Sequence, residues 1–360
     1  MLDRTQAPSF NAIKAIELPE IKMEVLQNTL SLYTAGFAEQ DVLKMELVFN
    51  AGSAYEKKKG ISSLFSKTLL GGTTGRTGAE VMAGLDQYGG FIELSSRVEH
   101  FHIILYGIPR FIDKYLQILK DILENAIFPE EEIFLQKKLA IQGLKLNLEK
   151  STFLASRAFK QLIFGEANAY GKILNEPDLE DVSRSDLKSF YQDNIQGKTF
   201  KLFLSGNISD KEILSVKNAF DRTHYQTNAT LDLTYPKGME VKRELVELKD
   251  KMQSTIRLGK PMFGRKHPDF FKMMVTNTAF GGYFGSRLMK NIREDKGYTY
   301  GISSSLTPLD GFGYLLIGSD VVKENTVATF DEISKEIIKL QSELLDKEEL
   351  EAVKNYMCGS

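Results

Sequence analysis

The chain has 360 residues, 42% hydrophobic and 26% charged, which excludes a disordered chain and allows two domains with cores of their own. Its 46 basic and 48 acidic residues are interspersed and leave a formal net charge of −2, so no field of one sign is offered to nucleic acid or to an anionic membrane. The single cysteine, Cys358, excludes an internal disulfide framework and a cysteine-built metal site. A reducing compartment suits that composition. The expected location is therefore cytoplasmic, or periplasmic if an export signal has been removed. The first residues lack the apolar core of a signal peptide, and no apolar run approaches the roughly 20 residues that span a bilayer.

Leu43 to Phe49 alternates as a half-buried strand should, and a small Gly-Ser turn leads from it to a helical stretch from Ile61 to Leu70. A Gly-Gly pair, Gly71 and Gly72, ends that helix. Between the strand and the helix, Glu56-Lys57-Lys58-Lys59 reads as an exposed turn. A helix around Gly78 to Leu85 follows, then Gly89-Gly90, strands at Phe91 to Ser95 and His100 to Tyr106, and a helix from Phe111 to Leu123. Phe111, Tyr115, Ile118, Leu119 and Ile122 give this last helix a continuous apolar stripe. Phe128-Pro129-Glu130-Glu131-Glu132 then opens a helix that runs past Gln142.

The same order returns. A strand near Ser254 to Leu258 precedes a helix near Pro268 to Ala279, which is stopped by Gly281-Gly282. Another helix, strands at Tyr300 to Leu306 and Gly313 to Ile317, and a long helix follow. Phe330, Ile333, Ile337 and Ile338 form the expected buried side of that long helix. The period is far longer than a solenoid repeat, so the reading is α+β with two homologous domains, each a mostly antiparallel sheet with helices packed on it. The expected boundaries are 1–228 and 229–360. Tyr225 to Thr230, followed by Pro236-Lys237-Gly238, is the expected linker. Leu345-Asp346-Lys347-Glu348-Glu349 matches the opening of the helix after Phe128, and by the repeat roughly 80 further residues would complete the second domain. That domain is therefore expected to be truncated.

Three segments carry a resemblance. Gly60 to Thr73, the run Phe128 to Ile133, and Phe280-Gly281-Gly282-Tyr283-Phe284-Gly285-Ser286-Arg287-Leu288 with Ile292 to Gly301 are similar, in order, to the signatures of the pitrilysin/insulinase superfamily of zinc peptidases. The resemblance covers nearly the whole chain from about Val25. It implies the fold of the short two-domain members that resemble mitochondrial processing peptidase. In that family an inverted His-x-x-Glu-His motif supplies two zinc ligands and a general base. Here those places read Ser63, Leu64, Phe65, Ser66 and Lys67. The third ligand, a glutamate, falls by register at Gln142, or at Gly143 if the count slips by one. A serine hydroxyl is a poor zinc ligand, and a protonated ammonium offers no lone pair. No metal is therefore expected on this chain, whose degenerate positions are Ser63, Ser66, Lys67 and Gln142.

The resemblance also implies that an arginine, and a tyrosine seven residues after it, hydrogen-bond the substrate near the scissile carbonyl. Arg293 and Tyr300 have that spacing. Taken alone, Arg293 would simply complement a helix C-terminus and Tyr300 would pack in a sheet. Within the motif, they are the expected substrate-binding pair.

Other candidates carry less. His100 and His102 share one face of a strand, but no third His or Cys is near them, and His224 and His267 fall in the linker and a loop. Ser63 and Lys67, four apart on a helix, invite a serine–lysine dyad, but a solvated polar face is the simpler reading. Gly281-Gly282 and Gly311-Phe312-Gly313 lack the spacing of a phosphate loop.

A degenerate chain of this kind implies a non-catalytic, substrate-binding subunit beside a homologous, zinc-bearing peptidase subunit, the two handling unfolded or extended peptide. The alternative is a non-enzymatic homodimeric scaffold or peptide-binding protein of the same fold. A third reading is an active zinc endopeptidase with unrecognised ligands.

Overall fold

The structure, a computed structural model, describes residues 18–27, 30–37, 40–221, 224–228, 231, 233, 242–249 and 251–359. It divides into two compact units, one built from Leu18–Asn147 and Lys172–Asp232, the other from Leu148–Gly171 and Leu233–Ser360. No helix of the described residues is long and apolar enough to cross a membrane.

The first unit is a six-stranded mixed sheet in the order β1 (Lys22–Val25), β2 (Ser31–Gly36), β6 (Phe200–Gly206), β3 (Leu43–Phe49), β5 (Phe101–Gly107), β4 (Phe91–Ser96). Among the described strands of this sheet, the β2–β6 pairing is parallel and the others antiparallel. Strict alternation decides which face is covered. Leu43, Met45, Leu47 and Phe49 of β3 and Phe101, Ile103 and Leu105 of β5 are buried beneath helices. Those helices include α1 (Ile61–Thr68), α2 (Gly78–Asp86), α3 (Ile112–Asn125), α7 (Arg184–Asn194) and α8 (Asp210–Phe220). The helix α4 (Glu130–Leu148) leads out of the first unit, and α6 (Glu176–Asp181) stands where the chain re-enters it.

Aromatic rings weld the helical layer together. Phe65 of α1 packs against Phe101 at 5.1 Å, Phe190 at 5.1 Å and Phe128 at 5.7 Å between ring centroids. Phe128, the residue before Pro129, has φ 51, left-handed and unusual for a side chain of its size. Burial of its ring holds that backbone in place. The Tyr191 hydroxyl donates to the Ile122 carbonyl at 3.1 Å and accepts from the Ala126 N–H at 3.3 Å, and burial pushes its pKa up.

The second unit has a three-stranded antiparallel sheet in the order β7 (Gln253–Phe263), β9 (Phe312–Val322), β8 (Thr299–Pro308). On one face, Phe280, Leu288, Met289, Ile292, Ile302, Ile317 and Ile333 form the core. The helix α5 (Ser151–Phe164) lies on the other face. There the Phe159 ring closes on Gly259, where an added Cβ would stand 2.7 Å from it, and Thr255 Oγ1, which donates to Asp320 Oδ1 at 2.6 Å, lies in hydrogen-bond contact with Ser151 Oγ at 2.9 Å. The helices α9 (Phe270–Asn277), α10 (Thr326–Ser342) and α11 (Lys347–Gly359) complete the unit.

Three expectations change. Phe330 and Ile338 of α10 are exposed, while Thr329, Glu332, Ile333 and Glu336 form its buried side. The glutamates are accommodated because Asn291 Nδ2 donates to Glu332 Oε2 at 3.1 Å and to Glu336 Oε1 at 2.7 Å. Second, Glu56 is not part of an exposed turn. Its carboxylate accepts the Ser62 N–H at 2.9 Å, binding one of the free donors at the start of α1. Lys57 and Lys58 do reach into solvent, pairing with Asp193 and with Asp181 and Asp186.

Third, the beginning of the expected linker is anchored. Gln226 bridges to Lys198, and Asn228 Nδ2 donates to the carbonyls of Asn50 at 3.2 Å and Asn194 at 3.1 Å. Ala229, Thr230 and Pro236-Lys237-Gly238 lie outside the described residues.

Candidate functional site

Gly60, at φ 95, turns the chain into α1 in a conformation that suits glycine. From there the helical period sends Leu64 and Phe65 into the core and leaves Ser63, Ser66 and Lys67 on the outer side. Ser66 Oγ donates to the Ser63 carbonyl at 2.8 Å, which back-bonds the hydroxyl to its own helix. No hydrogen bond joins Ser63 to Lys67, so the dyad does not form. Gln142 stands exposed on α4.

If the register implied by the resemblance holds, two hydroxyls, one ammonium and one amide stand where two imidazoles, a general base and an acidic ligand would be needed. This donor set does not fit zinc. Among the described residues, no group of three or more His, Cys, Asp or Glu is arranged to hold a metal.

The histidines are engaged otherwise. His102 Nδ1 lies 2.8 Å from Glu46 Oε1, and Lys44 Nζ lies 2.7 Å from the other oxygen of that carboxylate. The His100 ring is 6.1 Å from that of His102. His267 Nδ1 accepts the Asp269 N–H at 3.1 Å, and its ring stacks on Phe263 at 4.0 Å.

In the second unit, Arg293 sits in a π-helical segment, Met289–Asp295, of a kind frequent at functional sites. Gly297, at φ 65, turns the chain out of that segment toward β8. The Arg293 guanidinium lies over the ring of Phe284, 4.5 Å from its centroid. Tyr300 is the second residue of β8, and the ladder with β9 slips there: Thr299 faces Val321, whereas Ile302 faces Ser319. Three steps on one strand against two on the other make a β-bulge, which can re-aim a side chain.

Local hydrogen bonds fix the bulge. Gly301 N–H donates to Thr299 Oγ1 at 3.0 Å, and Ser319 Oγ donates to the Gly301 carbonyl at 3.0 Å. The phenol of Tyr300 is left 90% exposed. No hydrogen bond or ring contact joins it to Arg293. Arg293 itself is half-buried. Phe284 lies beneath the guanidinium and is 62% exposed. The signal available for it was an aromatic residue in the glycine-rich stretch before Arg293.

Comparison with known proteins places the family and the fold. Residues 37–161 match the family model for insulinase (peptidase family M16), and residues 181–357 match the model for the peptidase M16 inactive domain. A protein of Rickettsia felis named "Uncharacterized zinc protease" is 25% identical over 337 residues, which is 91% of this chain and 80% of that protein. A Helicobacter pylori protein named "Non-peptidase homolog YmxG" is 24% identical over 362 residues, 97% of this chain and 80% of the relative. The crystal structure of a peptidase M16 inactive domain from Pseudomonas fluorescens superposes with a TM-score of 0.86 at 19% identity, covering 94% of this chain and 83% of that one, and so shares the fold. With its two halves matched in order by the two models and its fold shared with a solved member, the chain belongs to the insulinase, or M16, family of peptidases.

Proposed function

We propose that this chain is a non-catalytic, substrate-binding subunit of a two-chain zinc metallopeptidase. It would orient extended peptides for cleavage by a homologous partner that carries His-x-x-Glu-His and the zinc. The observation that carries the reading is a contrast within one chain. Ser63, Ser66, Lys67 and Gln142 offer nothing that would hold the metal or activate water, while Arg293 and Tyr300 keep the family's spacing, the arginine half-buried over Phe284 and the tyrosine exposed. A guanidinium and a phenol together can hydrogen-bond the carbonyl of a bound peptide and stabilise charge developing on it. The name "Non-peptidase homolog" given to the H. pylori relative supports loss of catalysis on a chain of this kind.

The test is co-expression with a zinc-bearing homologue from the same genome, followed by copurification and peptide-cleavage assays of each chain alone and of the mixture. Cleavage by the mixture alone, lost in Arg293→Ala while the two chains still copurify, is the expected result. Proteolysis by this chain alone would overturn the proposal. So would self-association of this chain with no effect on the activity of any homologue, which would favour the homodimeric scaffold.

A further inference from the structure

Arg293 projects from the π-helical segment Met289–Asp295, and Tyr300 from the bulge at the start of β8. With no hydrogen bond between the two side chains, their relative placement is set by the backbone elements that carry them.

In an antiparallel ladder, alternate residues turn their N–H and C=O groups away from the partner strand. Ile302 and Ser304 of β8 do so, and both meet side chains. The Ser304 carbonyl accepts from Asn277 Nδ2 at 3.2 Å, and Ser304 Oγ donates to Asn277 Oδ1 at 2.7 Å. The Ile302 N–H donates to Met289 Sδ at 3.5 Å. Met289 opens the segment that carries Arg293, four residues before the arginine, and Ile302 stands two residues after Tyr300. The sulfur therefore ties one element directly to the other.

Both ends of this tie are buried, in a core shared with Leu288, Ile292 and Ile317. A leucine at 289 would fill nearly the same volume but offers no lone pair. What singles out methionine is the acceptor. Without it the buried Ile302 N–H is stranded, and the chain around it shifts to find a partner. From the β9 side, Ser319 Oγ holds the Gly301 carbonyl at 3.0 Å. Loss of the sulfur would leave the bulge tethered to β9 and released from the segment of Arg293.

We propose that Met289 is a positioning residue: by accepting the Ile302 N–H, its thioether sets the distance between the Arg293 segment and the Tyr300 bulge, so that guanidinium and phenol meet one peptide carbonyl. This rests on the peptide-binding role proposed above for that pair. Being buried, Met289 acts through those two side chains and not on the peptide.

The test uses this chain copurified with its zinc-bearing homologue, with fluorescein-labelled casein, an unfolded protein, as the substrate probe. Met289→Leu keeps the core volume and removes the acceptor. It should lower kcat/KM by about tenfold, whereas Ser304→Ala, which breaks the Asn277 bond on the same strand, should stay within about twofold of wild type. In a Tyr300→Phe background, Met289→Leu should cost about threefold or less, because a residue that acts through the phenol has less left to position. Hydrogen exchange by mass spectrometry on the chain alone reads the tie itself. Met289→Leu should speed exchange across residues 300–303 by about tenfold and leave residues 312–322 as in wild type.

If the wild-type pair does not cleave, or Arg293→Ala leaves cleavage unchanged, the role of the pair falls and this proposal with it. If Arg293→Ala abolishes cleavage while Met289→Leu keeps the wild-type kcat/KM, the proposal alone is overturned. The same holds if Met289→Leu costs as much in Tyr300→Phe as in wild type, for Met289 then only packs. Unchanged exchange at residues 300–303 overturns it as well, and that measurement needs no partner chain.

Discussion

Arg293 and Phe284 form a cation–π pair, the guanidinium carbon 4.5 Å from the ring centroid, and each comes from a separate turn of the glycine-rich region that precedes β8. The ring gives the guanidinium a platform from which, in the proposed role, its N–H donors would meet a peptide. An exposed cation–π contact contributes about 0.5–1 kcal/mol. Phe284→Leu should therefore lower stability by about that amount and, by freeing the guanidinium to move, weaken peptide affinity by at most roughly two- to fivefold. Arg293→Lys should lose more, because an ammonium cannot reproduce the planar fork of donors. Anisotropy titration of a peptide cut by the active pair measures both. Equal affinity in wild type and Phe284→Leu would remove the platform role.

Zinc content tests the degenerate motif directly. Wild-type protein equilibrated with zinc and passed through gel filtration should carry substoichiometric metal by mass spectrometry. The combined variant Ser63→His, Ser66→Glu, Lys67→His rebuilds the inverted motif on α1, placing two imidazoles four residues apart on one helical face. It should retain more zinc. Adding Gln142→Glu or Gly143→Glu should raise retention further for whichever position carries the correct register on α4. If neither glutamate adds anything, the alignment of α4 with the family's third-ligand helix is wrong.

Much of this arrangement was legible in the residues because local rules and packing agree. The alternation of Leu43 to Phe49 became β3, the Gly-Gly pairs ended their helices, and the seven-residue spacing placed Arg293 and Tyr300 on a helix end and the following strand. What escaped depends on partners distant in sequence. No periodicity distinguishes Glu332 and Glu336 from surface glutamates, since their burial depends on Asn291, 41 and 45 residues away. The outward aim of Tyr300 depends on a bulge held by Ser319, which no pattern within β8 announces. Phe330 and Ile338 obey the amphipathic period but face a side of α10 that nothing described covers.

Glu56 makes a pH prediction. Burial pushes its carboxyl pKa above the ordinary 4.5, against the pull of the Ser62 and Gly60 hydrogen bonds. A carboxyl whose pKa rises on folding binds its proton more tightly in the native chain. Its contribution is thus complete below the unfolded value and is lost as pH rises through the native one. Glu56→Gln keeps an acceptor for the Ser62 N–H but does not titrate. As pH rises from the ordinary carboxyl value through the raised native one, the glutamine variant should gain stability relative to wild type, and then hold level once Glu56 is ionised in both states. Urea unfolding across that range measures the difference. A wild-type advantage that grows with pH would mean that the helix terminus stabilises the charge more than burial penalises it.

Asn291 links the hidden face of α10 to the proposed binding arginine. Its amide nitrogen is shared between Glu332 and Glu336, while Lys335 and Lys339 hold the same two carboxylates from the solvent side at 2.8 and 3.1 Å. Asn291 and Arg293 lie in one π-helical segment, so the contact with α10 also fixes the backbone from which Arg293 projects. Asn291→Leu would leave two largely buried carboxylates without their interior donor, and a lost hydrogen bond to a charged group costs about 1.5–3 kcal/mol. The variant should unfold at lower urea concentration by an amount of that size. It should also weaken peptide binding, because its effect reaches Arg293 through the shared segment. Asn291→Leu combined with Glu332→Leu and Glu336→Leu separates the two consequences. Replacing all three polar partners with apolar side chains should recover most of the stability, as neither carboxylate is left stranded. If peptide affinity recovers with it, Asn291 acts only by keeping the segment folded; if affinity stays low, the amide itself sets the aim of Arg293.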